Sequence, residues 1–262
     1  MIARVLAIAG SDSGGGAGIQ ADIKTITMLG GYAMTAVTAI TVQNTLGVTA
    51  VHAIPDEIVQ GQIRAVVDDI GVDAIKIGML GNAATIAAVA EALDAVAEVP
   101  IVLDPVMVAK GGSRLLEAGA ISALKAGLLS RAALVTPNAP ELAVLTGRDV
   151  RTETEMLRAG RALLRAGAAA VLAKGGHLQG DTVVDWLLTA EAETRFAAPR
   201  RDTPHTHGTG CTLSSAVATG LAKGLSLVEA VAEARDYLQA AMDAAPGLGR
   251  GHGPLGHNFA LL

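Results

Sequence analysis

The chain has 262 residues, about half of them apolar, and a net charge of −5 with no block of like charge. That length suits one α/β domain with a sizeable core, and the charge argues against nucleic acid as a partner. One cysteine excludes an intrachain disulfide and a cysteine zinc cluster. No apolar run reaches the ~18 residues that span a bilayer, and a reducing cytoplasm is the expected setting.

Val5 to Ala9 is a short apolar run that stops at Gly10, which makes it a buried first strand rather than a secretion signal. A glycine loop from Gly10 to Gly18 leads into helical spacing from about Ile19 to Leu29. Tyr32 to Val42 reads as a second strand ending at Gln43, and Gly47 to Ile54 as a third. Pro55 suits the first turn of a helix reaching about Asp69. Ala74 to Ile77 is a strand ending at Gly78-Met79, and Asn82 caps a helix to about Val96. Ile101 to Leu103 is a strand ending at Asp104-Pro105. Val108 to Ser113 reads as a mobile loop before a helix near Ala118 to Leu129. Ala133 to Val135 and Ala169 to Ala173 are strands, with a helix from Glu153 to Ala166 between them. Thr182 to Leu188 and Thr194 to Ala197 look like an antiparallel pair at one edge, and helices start near Thr209 and Leu227.

Strands alternating with helices mean a mainly parallel central sheet with helices on both faces. Ligands of such sheets bind outside the carboxyl ends of the strands. Asp12, Gln43, Met79, Asp104, Asn138, Glu141 and Lys174 gather at those ends.

The densest signal is His207-Gly208-Thr209-Gly210-Cys211-Thr212, followed by small and apolar residues at helical spacing. A glycine turn feeding a helix N-terminus is an anion cradle. Cys211 at that turn is expected to have a depressed pKa, since a helix end stabilises thiolate. His205 and His207 flank the loop and read as loop-shaping or solvated residues. Lys174, before Gly175-Gly176, can reach a phosphate as a point charge, although a solvated turn lysine is the plain account. Asp104, Glu141 and the Asn138 amide at neighbouring strand ends suit a magnesium ion bridging phosphates. Asn138 and Glu141 also match a helix cap with its reciprocal partner.

Gly16-x-Gly18-x-x-Ala21 fits a loose dinucleotide fingerprint, but no acid lies between Asp22 and Asp56 to hold a ribose. No Walker A sequence and no zinc spacing are present. A cysteine–histidine hydrolase would leave the anion cradle, lysine and paired acids without a role, and so would a scaffold.

Six segments together resemble the hydroxymethylpyrimidine/phosphomethylpyrimidine kinases of the ribokinase superfamily, over essentially the whole chain. They are Ala9 to Asp22, Thr41 to Thr45, Ile77 to Met79, Leu103 to Met107, Pro137 to Glu141 and His207 to Thr212. The resemblance implies one ribokinase-like domain over residues 1–262, ATP and Mg2+. It implies phosphorylation of a hydroxymethylpyrimidine and then of its monophosphate, for thiamine synthesis, with pyridoxal phosphorylation as the alternative. It places the pyrimidine at Gly10, Asp22, Gln43, Met79 and Val106, and the metal at Asp104 and Glu141. Asn138, Lys174 and Thr209 go to the nucleotide. Gly208, Gly210, Lys174 and Cys211 go to catalysis, with Cys211 standing where most of the superfamily has an aspartate base. His205 departs from the asparagine expected there, and a homodimer is the expected assembly.

Overall fold

The computed structural model describes every residue except 97, 109–111, 113, 114, 118 and 262. Most of the loop expected over 108–113 therefore lies outside the described residues, as does the expected helix start at Ala118. The first half of the chain runs β1 (Arg4–Asp12), α1 (Gly18–Met28), β2 (Tyr32–Asn44), β3 (Gly47–Ala53), α2 (Asp56–Asp69), β4 (Ala74–Ile77), α3 (Ala83–Ala92) and β5 (Ile101–Leu103). The second half runs α4 (Ala120–Gly127), β6 (Leu134–Val135), α5 (Ala139–Thr146), α6 (Glu153–Arg165), β7 (Val171–Ala173), β8 (Thr182–Leu188), β9 (Glu193–Pro199), α7 (Thr209–Ala222) and α8 (Leu227–Asp243).

The strands form one sheet in the order β3-β2-β1-β4-β5-β6-β7-β8-β9. From β2 to β7 every neighbouring pair is parallel, while β3 at one edge and β8–β9 at the other pair antiparallel. The chain winds one way from β1 to β2 and then returns to lay β4 on the other side. That reversal is a switch point, where strand ends leave a crevice.

Each central strand is buried on both faces, and its side chains divide between two cores by simple alternation. Leu6, Ile8, Ile75, Ile77, Leu103, Val135 and Val171 join the core under α2 to α6. Val5, Ala74, Val102, Leu134 and Leu172 join the core under α1, α7 and α8. Each fully buried Val, Leu or Ile contributes roughly 1.5–3 kcal/mol, so this division holds the layers in place. Lys76 interrupts the pattern: it takes a core position on the α1–α7 face of β4 and is fully buried.

Local signals start several helices. Reciprocal side-chain and backbone bonds box the N-termini of α5 (Asn138/Glu141), α6 (Thr152/Glu155) and α8 (Ser226/Glu229). α7 differs, because Gly208 precedes it and no side chain caps it.

Candidate active site

The carboxyl ends of the strands surround a cavity of about 570 Å³. A second hollow of about 250 Å³ adjoins it, sharing Asn138, Lys174, Thr209 and Gly210. The junction is therefore the start of α7 together with the end of β7.

Two glycines shape that junction. Gly208 has φ +85°, and a Cβ there would collide with the carbonyl oxygen of Gly16. Gly18 has φ +55°, and a Cβ there would collide with the carbonyl oxygen of Gly10. Only glycine permits both the left-handed backbone and the close approach. The uncapped first turn of α7 consequently presents its N–H groups to an anion.

Asp104 closes β5 and receives Lys174 Nζ at 2.8 Å and the Thr136 hydroxyl at 3.1 Å on the same oxygen. A Cβ on Gly210 would lie 3.3 Å from Asp104 Oδ2 and 3.5 Å from Lys174 Nζ, so the ion pair lies directly against the first turn of α7. Burial would lower the Lys174 pKa, but Asp104 and Glu141 outweigh it and keep the ammonium charged. Burial pushes Glu141 up to about 7, against the pull of Lys174. The helix cap is also real: Asn138 Oδ1 accepts from Glu141 N at 2.9 Å, and Glu141 Oε2 accepts from Asn138 N at 2.8 Å. The cap uses Oε2, the carboxylate also accepts from the Met107 N–H, and Glu141 still lines the cavity.

All the candidate site residues line the cavity except Asp22. Asp22 is fully buried behind the wall, where its carboxylate accepts from Lys76 and Ser215, so it offers nothing to a ligand. The cause is the alternation in β4, which aims Lys76 at α1. Cys211 is corrected as well. It does sit at a helix N-terminus and takes a hydrogen bond from Gly18 N–H, yet burial pushes its thiol up to about 11. Lys76 opposes that rise, while Asp22 and Asp104 add to it. Desolvation outweighs the helix end.

Of the two readings of His207, the solvated one fails and the loop-shaping one holds. The side chain is buried and lines the cavity, with Nε2 at 2.8 Å from Asp12 Oδ2 and 3.3 Å from Gln43 Nε2. Asp12 also accepts from the backbone N–H groups of Gly14, Gly16 and Ala17. Burial alone would raise Asp12, but His207 and these N–H groups hold it below the usual carboxylate range. The glycine loop of β1 is thus pinned to the loop before α7. His205 packs against Gly253 of the C-terminal tail, at a distance no side chain there would allow.

An anion cradle, a lysine, two carboxylates and a thiol around one cavity suit phosphoryl transfer. The family model for phosphomethylpyrimidine kinase matches residues 12–256. The chain belongs to that family. It is a kinase, built on the fold its family shares with pyridoxal kinases. Among this kinase's relatives, a hydroxymethylpyrimidine/phosphomethylpyrimidine kinase of Rhizobium meliloti is 51% identical, covering 98% of this chain and 97% of its own. The thiamine biosynthesis bifunctional protein ThiED of Geobacter sulfurreducens is 52% identical over 98% of this chain, which spans about half (52%) of that longer protein. Among solved structures, an ADP complex of Bacillus subtilis pyridoxal kinase superposes with a TM-score of 0.92 at 36% identity, over 100% of both chains. A phosphomethylpyrimidine kinase of Clostridium difficile 630 gives 0.81 at 40% identity, over 91% of this chain and 99% of its own. Pyridoxal kinase of Staphylococcus aureus with AMP-PCP and pyridoxal gives 0.91 at 32% identity, over 99% of this chain and 95% of that one.

Proposed function

We propose that this kinase moves the γ-phosphoryl group of ATP to the hydroxymethyl oxygen of 4-amino-5-hydroxymethyl-2-methylpyrimidine, and then moves a second to the resulting monophosphate, for thiamine diphosphate synthesis. The observation that carries the reading is the first turn of α7, which joins the two hollows through Thr209 and Gly210 and sets Cys211 in the wall of the larger one. The acceptor fits the larger hollow, among Gly10, Gln43, Met79 and Val106, and ATP reaches the junction from the side of Asn138, Lys174 and Thr209. A glutamine amide matches the amino donor and ring-nitrogen acceptor of a 4-aminopyrimidine. Gln43 is held near that task by Thr41 and His207.

In the first transfer the alcohol oxygen bonds to phosphorus, the bond to the ADP oxygen breaks, and the alcohol proton passes to Cys211 in its thiolate form, the minor form at neutral pH for a thiol at about 11. The N–H groups at Gly208 to Cys211, together with Lys174, oppose the charge on the moving phosphoryl group. Asp104 and Glu141 are hard oxygen donors facing the cavity, and among the described residues no group of three or more His, Cys, Asp or Glu forms a metal cage. Such a set fits Mg2+, which binds through one or two carboxylates plus phosphates and waters. When bound there it would neutralise phosphate charge.

The decisive experiment offers ATP with the alcohol, with its monophosphate and with pyridoxal, to the wild type and to Cys211→Ala. The alcohol should lose about 10²–10⁴-fold in kcat, the usual contribution of a general base. The monophosphate should lose far less, since a phosphate monoester with a second pKa of about 6 brings an oxygen already free of its proton. Turnover of the alcohol at the wild-type rate would retire the base. A thiol at about 11 also requires the wild-type rate on the alcohol to climb with pH through the neutral range. Pyridoxal is the second reading, favoured by the full-length superposition on a pyridoxal kinase, and the same assay weighs it.

A cytoplasmic homodimer completes the proposal. Ile40 and Val42 are exposed on one face of β2, and Leu46 is exposed in the turn after it, an apolar surface suited to a second copy, and sedimentation would show it. Among the described residues no helix is long and apolar enough to cross a membrane.

A further inference from the structure

Lysine is almost never fully buried unless it is paired. Lys76 is fully buried in the α1–α7 face of β4, with Nζ donating to Asp22 Oδ1 at 2.9 Å and to Oδ2 at 3.0 Å. Asp22 is equally buried, and its Oδ1 also accepts from the Ser215 hydroxyl at 2.7 Å. Taking two charges out of water is costly, and hydrophobic residues of similar size serve a fold as well. Neither residue lines the cavity, so phosphoryl transfer as described above leaves the pair without a task.

Its placement suggests one. Gly18 and Asp22 are one turn apart on α1, and Cys211 and Ser215 are one turn apart on α7. The Gly18 N–H points at the Cys211 sulfur, and Asp22 holds Ser215, so the two contacts are successive rungs between the helices. The rungs are separated by roughly one helical pitch, ~5.4 Å. Lys76 joins the second rung from below. Its ammonium reaches as far as Gly78, where a Cβ would lie 2.8 Å from Nζ, and Gly78 adjoins the cavity residue Met79.

We propose that Lys76 is a positioning residue for the transfer: its ammonium, clamped by Asp22 and Ser215, is the fixed positive charge beneath Cys211 that supports the thiolate. The proposal rests on Cys211 as the base. Among the described residues, the charged side chains that act on the sulfur include Lys76 from β4, Asp22 from α1, Asp104 from the end of β5 and Lys174 from the end of β7. Asp104 and Lys174 pair with each other in the cavity, where a ligand can rearrange them. Lys76 is out of reach of any ligand, so its charge is constant through the cycle. It favours the thiolate, and Asp22 opposes it.

Cys211 is the only cysteine, so its alkylation by iodoacetamide reads the thiolate without reference to kinase activity. In the full-length chain, Lys76→Met combined with Asp22→Asn removes both charges and leaves none stranded. Its alkylation rate at pH 9 should fall about ten-fold, with the titration midpoint moved up. Asp22→Asn alone leaves Lys76 buried without its carboxylate, and burial drives the lysine toward the neutral amine, so the midpoint should move up there as well. An unmoved midpoint in the double variant would overturn the proposal and leave the pair a structural clamp. The base assignment fails separately, through undiminished turnover in Cys211→Ala.

Discussion

Two lysine–aspartate pairs flank Cys211, made of the same groups and placed for different ends. Lys174 meets Asp104 through one oxygen at 2.8 Å, at the wall of the cavity, with 13% of the lysine side chain exposed. Lys76 meets Asp22 through both oxygens, and both side chains are 0% exposed. The first pair can part to meet phosphate, since ligand charge replaces what each partner gives up. The second has nothing to replace its partner, so it stays closed. Exposure, rather than chemistry, separates a working ion pair from a fixed one.

The sharpest way to break this comparison is to remove each ammonium in turn. Lys76→Met should cost about 3–5 kcal/mol of stability, because Asp22 is left as a lone buried carboxylate. Lys174→Met should cost less, because Asp104, although only 3% exposed, keeps the Thr136 hydroxyl and borders the cavity, while kcat falls about 10²–10³-fold through loss of charge at the transferring phosphoryl group. Equal melting temperatures for the two variants would erase the distinction.

A buried group with no opposite charge sharpens it from another side. His257 in the C-terminal tail is held by Thr212 at 2.9 Å, at the start of α7, and burial pushes its pKa down to about 4 from 6.5. The folded value lies below the unfolded one, so this neutral histidine contributes stability that is complete above about pH 6.5. That stability is lost as pH falls from there through about 4, up to about 3 kcal/mol in all. Urea titrations of wild type and His257→Gln between pH 7 and about pH 4 should differ by that slope. Parallel curves would remove His257 from the account.

The smallest expected effect concerns recognition. Gln43→Ala should cost the aminopyrimidine about 1–3 kcal/mol in kcat/KM, through unpaired amide contacts, and pyridoxal much less. Equal losses on both substrates, with a lower melting temperature, would mean that Gln43 only ties β2 to Thr41 and His207.

Much of this was legible in the residues. The strand and helix alternation, the edge pair β8–β9 and the anion loop follow from local pattern, and the observed boundaries move by only a few residues. β2 runs on to Asn44 where its apolar pattern stops at Val42, because pairing with β3 continues through Gln43 and Asn44. The Asn138–Glu141 cap was readable because its partners lie three residues apart. Asp12 and His207 were not readable as a pair, since 195 residues separate them.

By itself the sequence determined which residues meet at the strand ends, because a period of two in strands and a glycine before a helix act over a few residues. Only the tertiary structure decided which of those residues face a ligand and in what state of charge. Asp22 looks like a pocket acid until Lys76, 54 residues away, turns up beside it inside the core. Cys211 looks like an acidic thiol until burial is weighed against the helix end. Desolvation and Coulomb forces act through space, across segments that the chain order keeps far apart.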